Sequence, residues 1–210
     1  MVGLVCCTEL AGDNTEGKNL SWSTIIKTLF PLLVLTIVGQ FALTMFEGTF
    51  ALFAQAKFDF GPSDVGYVFV VCGLVMTVFQ VGAVGLLAKK FEATTLITAG
   101  FAIMGVGIGL LATAQTKFLI YAFVAILSVG MALIAPNLAA LVSKRSSEQQ
   151  AGMSLGVQSA ASSLGQVVGP LLGGLLFIWQ VNAPYLAAAL LLLVVAFFVG
   201  WKMNKNSPSL

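Results

Sequence analysis

Six long apolar runs, at residues 29–54, 66–88, 94–114, 118–142, 153–178 and 183–201, limit what this chain can fold into more than any other feature. Each is long enough to cross a hydrocarbon core of about 30 Å at about 1.5 Å per helical residue. The runs are continuous where a barrel strand would alternate, and they far exceed strand length, so the expected fold class is all-α with six transmembrane helices. With 59% hydrophobic and 9% charged residues, the chain lacks the polar surface to coat a water-soluble globule. Its solvent is the lipid bilayer.

Short polar stretches separate the runs: 57–64 with Gly61-Pro62, then 89–92, 115–117, 143–152 and 180–182. Connections this short force consecutive helices to run antiparallel. On that alternation Lys18, Lys27, Lys89, Lys90, Lys144, Arg145, Lys202 and Lys205 fall on one side, and only Lys57 and Lys117 on the other. The positive-inside bias then places both termini in the cytoplasm, with the plasma (inner) membrane as the expected location. Residues 1–27 read as a polar cytoplasmic leader, 28–202 as the membrane domain and 203–210 as a cytoplasmic tail. At the end of the leader Trp22, Ile25, Ile26 and Leu29 follow helical spacing. They suit either a short helix lying among the headgroups or an early start of the first membrane helix. No basic segment leads directly into an apolar core with a small-residue cleavage site, so no signal peptide is expected.

Composition also removes whole classes of chemistry. His is absent and Cys occurs three times, at Cys6, Cys7 and Cys72, without metal or redox spacing. Neither a metal nor a cofactor is expected. Basic residues are dispersed and the net charge is only +2, so a nucleic-acid partner is not expected either. Gly152-Met153-Ser154-Leu155-Gly156 spells the G-x-S-x-G nucleophile pattern, but that motif needs a strand-to-helix turn and a base. Here it opens a membrane helix in a chain without His, and the enzyme reading falls.

Polar residues inside the runs mark the places to look for function. A carboxylate at the centre of a membrane helix costs at least about 2.5 to 3.5 kcal/mol, and among the runs only Glu47 is such a group. At about 100° per residue, Thr36, Gln40, Thr44 and Glu47 form one polar stripe along the first helix. Facing a cavity, the stripe would make Glu47 a proton-exchange or cation-recognition group. Packed on a neighbouring helix near the outer interface, it would be structural. Gln80, Asn137, Gln158 and Gln166, with Ser159, Ser162 and Ser163, suit interhelical hydrogen bonding, each bond contributing about 1 kcal/mol. Asn137 also follows Pro136, whose missing N–H frees a carbonyl one turn earlier, a break that often lines transporter sites.

The densest pattern lies in the fifth run. Gly156, Gly165, Gly169, Pro170, Gly173 and Gly174 read G-x8-G-x3-G-P-x2-G-G, with Gly165, Gly169 and Gly173 four residues apart on one face. A neighbouring backbone can approach such a face closely. The pattern resembles the antiporter motif of the major facilitator superfamily, specifically its drug/proton antiporters of the tetracycline and multidrug efflux type, which carry it on the fifth helix of a six-helix half. Gly85-Leu86-Leu87-Ala88-Lys89-Lys90-Phe91-Glu92 is similar to that family's loop pattern G-x-L-A-D-R-x-G. Lys89 stands where the pattern has its acid and Glu92 where it has its second glycine, a departure typical of the C-terminal half. Residues 46–52 resemble the seventh helix of such exporters.

The resemblance covers about residues 20–202 and implies one half of a twelve-helix transporter working by alternating access. It implies proton-coupled efflux of small amphipathic or hydrophobic compounds. The site residues would be Glu47, Gln40, Thr36, Thr44 and Asn137. The first and fourth helices would line the cavity, while the second and fifth, with the glycine face, would pack against a second half absent from this sequence. Implied partners are lipid, a small-molecule substrate, protons, and a second six-helix half or a homodimer mate. The alternative is a non-transporting half that regulates a full-length relative.

Overall fold

A computed structural model describes residues 22–146 and 150–206; residues 1–21 of the expected leader and the last residues of the tail lie outside it. Six spans follow one another. They are α1 (Trp22–Phe58), a second span built from α2 (Pro62–Phe79), a wide π-turn (Gln80–Val84) and α3 (Gly85–Lys90), then α4 (Ala93–Ala112), α5 (Lys117–Lys144), α6 (Ala151–Trp179) and α7 (Ala183–Asn206). Each is long and apolar enough to cross a bilayer. α1 is unbroken from Trp22 and carries Pro31 inside it, so Trp22, Ile25, Ile26 and Leu29 belong to the first helix itself. Antiparallel order gives the bundle a near end, at Trp22, Lys90, Lys144 and Asn206, and a far end at the intervening turns.

The bundle is held by glycine. A Cβ at Gly107 would lie 2.6 Å from the Leu127 amide nitrogen, and one at Gly130 would lie 2.5 Å from that of Met104 and 2.7 Å from the Gly100 carbonyl oxygen. α4 and α5 therefore cross with backbones in contact, the geometry that small residues permit in lipid. On the other side of α4, Gly105 admits Leu192 and Gly109 admits Ala189 of α7. α4 thus sits inside while the second span rides outside. Of the most apolar eighteen residues, 56% are buried in the third span and 6% in the second.

At the far end the turns are chemically specified. Asp59 takes the left-handed conformation (φ 54°) that short polar residues tolerate, and the amides of Asp59 and Phe60 close on the carbonyls of Gln55 and Ala54. Asp64 then accepts from the Gly61 amide at 3.0 Å, and Pro62 at the first helical position brings no amide of its own, so fewer donors are left open where α2 starts. Lys57 closes the neighbouring element by donating to the Ala112 carbonyl at 3.1 Å, at the C-terminus of α4. A cation there satisfies an orphan acceptor and meets the helix dipole. Lys57→Met is expected to lower stability by about 0.5 to 1 kcal/mol, read as a lower unfolding temperature in detergent, with Lys57→Arg close to the wild type.

Beside these turns, rings stack into one cluster. Phe69, Phe50, Phe46, Tyr185, Phe53, Phe58 and Phe60 follow each other with centroids 4.5 to 6.4 Å apart, within the range that favours tilted and edge-on aromatic pairs. The Tyr185 hydroxyl pairs with Thr49 Oγ1 at 3.3 Å, and Thr49 donates to the Met45 carbonyl at 2.8 Å. The far end is closed by this cluster.

Candidate functional site

A groove of about 390 Å³ opens between α1, α5 and α6. Its walls come from the near-end halves of those helices: Thr36 and Gln40 on α1, Ile134 and Leu138 on α5, Gln158 and Ser162 on α6. Its floor is formed at mid-span by Met76 of α2, Met104 of α4 and Met131 of α5. The sequence offers no spacing rule for these methionines, since they come from three separate spans. Only their common depth unites them.

The polar stripe of α1 divides. Thr36 and Gln40 line the groove, with Gln158 Nε2 reaching Thr36 Oγ1 at 3.5 Å. Thr44 is instead buried in the crossing of α1 with α6, its hydroxyl 2.8 Å from the Gln40 carbonyl and 3.2 Å from that of Gly165. Glu47 is exposed and does not line the groove, although Leu43 one turn before it does, and it is neither hydrogen-bonded nor ion-paired among the described residues. Helical spacing put all four within one arc. A second helix lying across that arc then buried its middle. Asn137 does not line the groove either: it is buried and donates to the Leu133 carbonyl at 2.7 Å, next to the Ala132 carbonyl that Pro136 leaves without its amide.

The glycine motif has a different partner from the one the resemblance implied. Gly165, Gly169 and Gly173 are buried against α1 of the same bundle. A Cβ at Gly165 would stand 2.7 Å from the Ile37 carbonyl oxygen, one at Gly169 would collide with Thr44 Oγ1 and the Phe41 carbonyl, and one at Gly173 would meet Met45. Pro170 packs on Gly48. Gly156 and Gly174 face open space, so three of the five motif glycines make the seam. The face of α6 left uncovered carries bulky apolar residues instead, Leu164, Val167, Leu171 and Leu175 among them. The fifth span accordingly serves twice: one face walls the groove and grips α1, and another is bare, as is most of α2. Gly85, Lys89 and Lys90 lie exposed at the near end of the second span, just past the π-turn.

Comparison with known proteins fits this architecture. The chain is 31% identical over 182 residues to Multidrug resistance protein 2 of Bacillus subtilis, covering 86% of this chain and 45% of that relative. It is 30% identical to Multidrug resistance protein 1 of the same organism, covering 92% and 49%, and 28% identical to the class D Tetracycline resistance protein of Salmonella ordonez, covering 80% and 42%. The chain spans about half the length of the curated relatives it matches. Residues 32–209 match the family profile described as Major Facilitator Superfamily, and with six bilayer-length helices around a groove the chain is an integral membrane protein that belongs to that superfamily.

Proposed function

We propose that this chain is one six-helix half, of the C-terminal type, of a secondary active exporter that moves small amphipathic or hydrophobic compounds by alternating access and is driven by protons. The observation that carries the reading is the groove itself, open in the near-end half of the bundle and backed by an aromatic seal at the far end. One such bundle exposes one side of a route. A second bundle, from a longer chain, a separate half or a second copy, would cover the bare faces of α2 and α6 and complete it. The resistance proteins it resembles support a drug-like cargo. The basic residues favour the near end as the cytoplasmic one, with the plasma membrane as the location.

Glu47 enters this reading from outside the groove. Exposed on α1 in a membrane span, it needs either water or a partner, because a bare carboxylate in lipid is costly. The space between the two bundles supplies water, and there a carboxylate can take up and release the coupling proton. In proteoliposomes containing the completed assembly, Glu47→Gln is expected to reduce pH-gradient-driven efflux at least about tenfold while leaving cargo binding within about threefold. Movement that ignores both the gradient and this substitution would remove the coupling role. Copurification of the chain with a full-length relative, without any transport of its own, would favour the regulatory half instead.

A further inference from the structure

We propose that the wide turn at Gln80–Val84 is a register switch in the second span: when it tightens into plain α-helix, α3 turns about its own axis by about 100°. Val84 then leaves its place against Leu96 and Leu133, Ala83 takes that place, and Lys90 swings from the exposed side to the side facing α4 and α5. The inference goes beyond the transporter reading and stands without it.

Three observations carry it, and helical phase is the first. The inward side of the span is traced by Val65, Val68, Cys72, Met76 and Phe79, all buried or half-buried. At about 100° per residue a plain helix would continue that stripe with Ala83, then Leu86 or Leu87, then Lys90, and would leave Val84 about 120° away from it. Instead Val84 is buried and Leu87 half-buried, while Leu86 and Lys90 are exposed. The turn therefore holds one residue more than a plain helix would. Second, the backbone stays helical on both sides, with φ −70° and ψ −39° at Phe79 and φ −63° and ψ −36° at Gly85. The turn is an insertion rather than a break, and the same residues can close an ordinary α-turn. Third, little resists the rotation. Val84 is the one buried residue from Gln80 to Lys90, and it sits with Leu96 and Leu133 in a small cluster apart from the main core. A Cβ at Gly82 or Gly85 would meet nothing within 4 Å. Lys89 and Lys90 have no ion-pair partner among the described residues. The link to α4 is extended at Phe91 and Glu92, which leaves slack for α3 to advance toward the near end. Two packings that differ by one small side chain in one apolar cluster lie close in free energy, the condition for a populated minor state.

The test uses the whole chain in lipid nanodiscs, read by fluorine NMR with and without a water-soluble gadolinium chelate. Cys6→Ser, Cys7→Ser and Cys72→Ser clear the background, and Lys90→Cys carries a trifluoroethylthio label. A neutral label in place of the cation lowers the cost of turning this position inward, which favours sight of the second register. Two resonances are expected: a major one that the chelate broadens, and a minor one, at most about 10% of the signal, that it does not. Val84→Ala leaves an alanine against Leu96 and Leu133 in either register. It withdraws the burial of two carbons and is expected to raise the minor-to-major ratio about tenfold. Deletion of Ala83 removes the extra residue, so a plain helix brings Val84 inward and leaves the label outside. That variant is expected to fold, to unfold on heating no earlier than its parent, and to show the broadened resonance alone. A single resonance in both the parent and Val84→Ala, a minor resonance that survives the deletion, or a deletion variant that does not fold overturns the proposal. Neither cargo nor pH gradient enters these readouts, so failure of the transporter reading leaves them unchanged.

Discussion

Gly130→Ala is expected to remove most of the folded protein, the largest loss from the addition of a single methyl group anywhere in the bundle. The methyl carbon would lie 2.5 Å from the Met104 amide nitrogen and 2.7 Å from the Gly100 carbonyl oxygen. Both are backbone atoms of a helix held on its other side by α7, so no side chain can swing away. Overpacking in a close-fitted core costs about 1 to 3 kcal/mol even where side chains can adjust, and here α4 and α5 must separate along their length. Thermal unfolding in detergent, with yield of monodisperse protein, reads the effect. Gly73→Ala supplies the control, because a Cβ there meets nothing within 4 Å; it is expected to be neutral or slightly stabilising, alanine being the better helix former by about 1 kcal/mol. Equal behaviour of the two variants would mean that α4 and α5 do not cross as described.

Gly169→Ala is the second large effect and reports on function as well as folding. The new methyl group would meet Thr44 Oγ1 and stand 2.7 Å from the Phe41 carbonyl oxygen. Thr44 can be shortened; the carbonyl cannot. Thr44→Ala in the same chain is therefore expected to recover only part of a loss of about 2 kcal/mol, with a coupling between the two sites of about 0.5 to 1 kcal/mol in a double-mutant cycle. Since α1 and α6 are also two walls of the groove, prising them apart should weaken binding of groove ligands in protein that still folds. Gly156→Ala and Gly174→Ala, at open positions of the same motif, are expected to leave the stability of the purified chain within about 0.5 kcal/mol. A loss at Gly174 matching that at Gly169 would contradict the seam.

Much of the architecture was legible because lipid leaves few choices. An apolar run of bilayer length has to be a helix, and short turns have to reverse it, so the spans and their order follow from residue type alone. Contacts between spans were harder to read. Gly165, Gly169 and Gly173 announce a close approach, but spacing along one helix cannot name the helix that approaches, and the neighbour proved to be α1 rather than a missing bundle. The comparable crossing of α4 with α5 was less visible still, since Gly100, Gly107 and Gly130 are scattered over two spans and form no motif. The stripe from Thr36 to Glu47 shows the same limit at the site. Periodicity fixes which residues share a side of α1, whereas the tilt of α6 across it decides that Thr36 and Gln40 look into the groove, Thr44 is covered and Glu47 stays outside. The methionine floor needed the depth of three spans at once, which no local pattern encodes.

The ring cluster at the far end bears on the itinerary of anything that crosses. With Phe46, Phe53 and Tyr185 filling the interior there, no channel threads the described helices lengthwise. On the transporter proposal, a passenger would have to skirt the bundle along its flank, using a cleft shared with a second bundle.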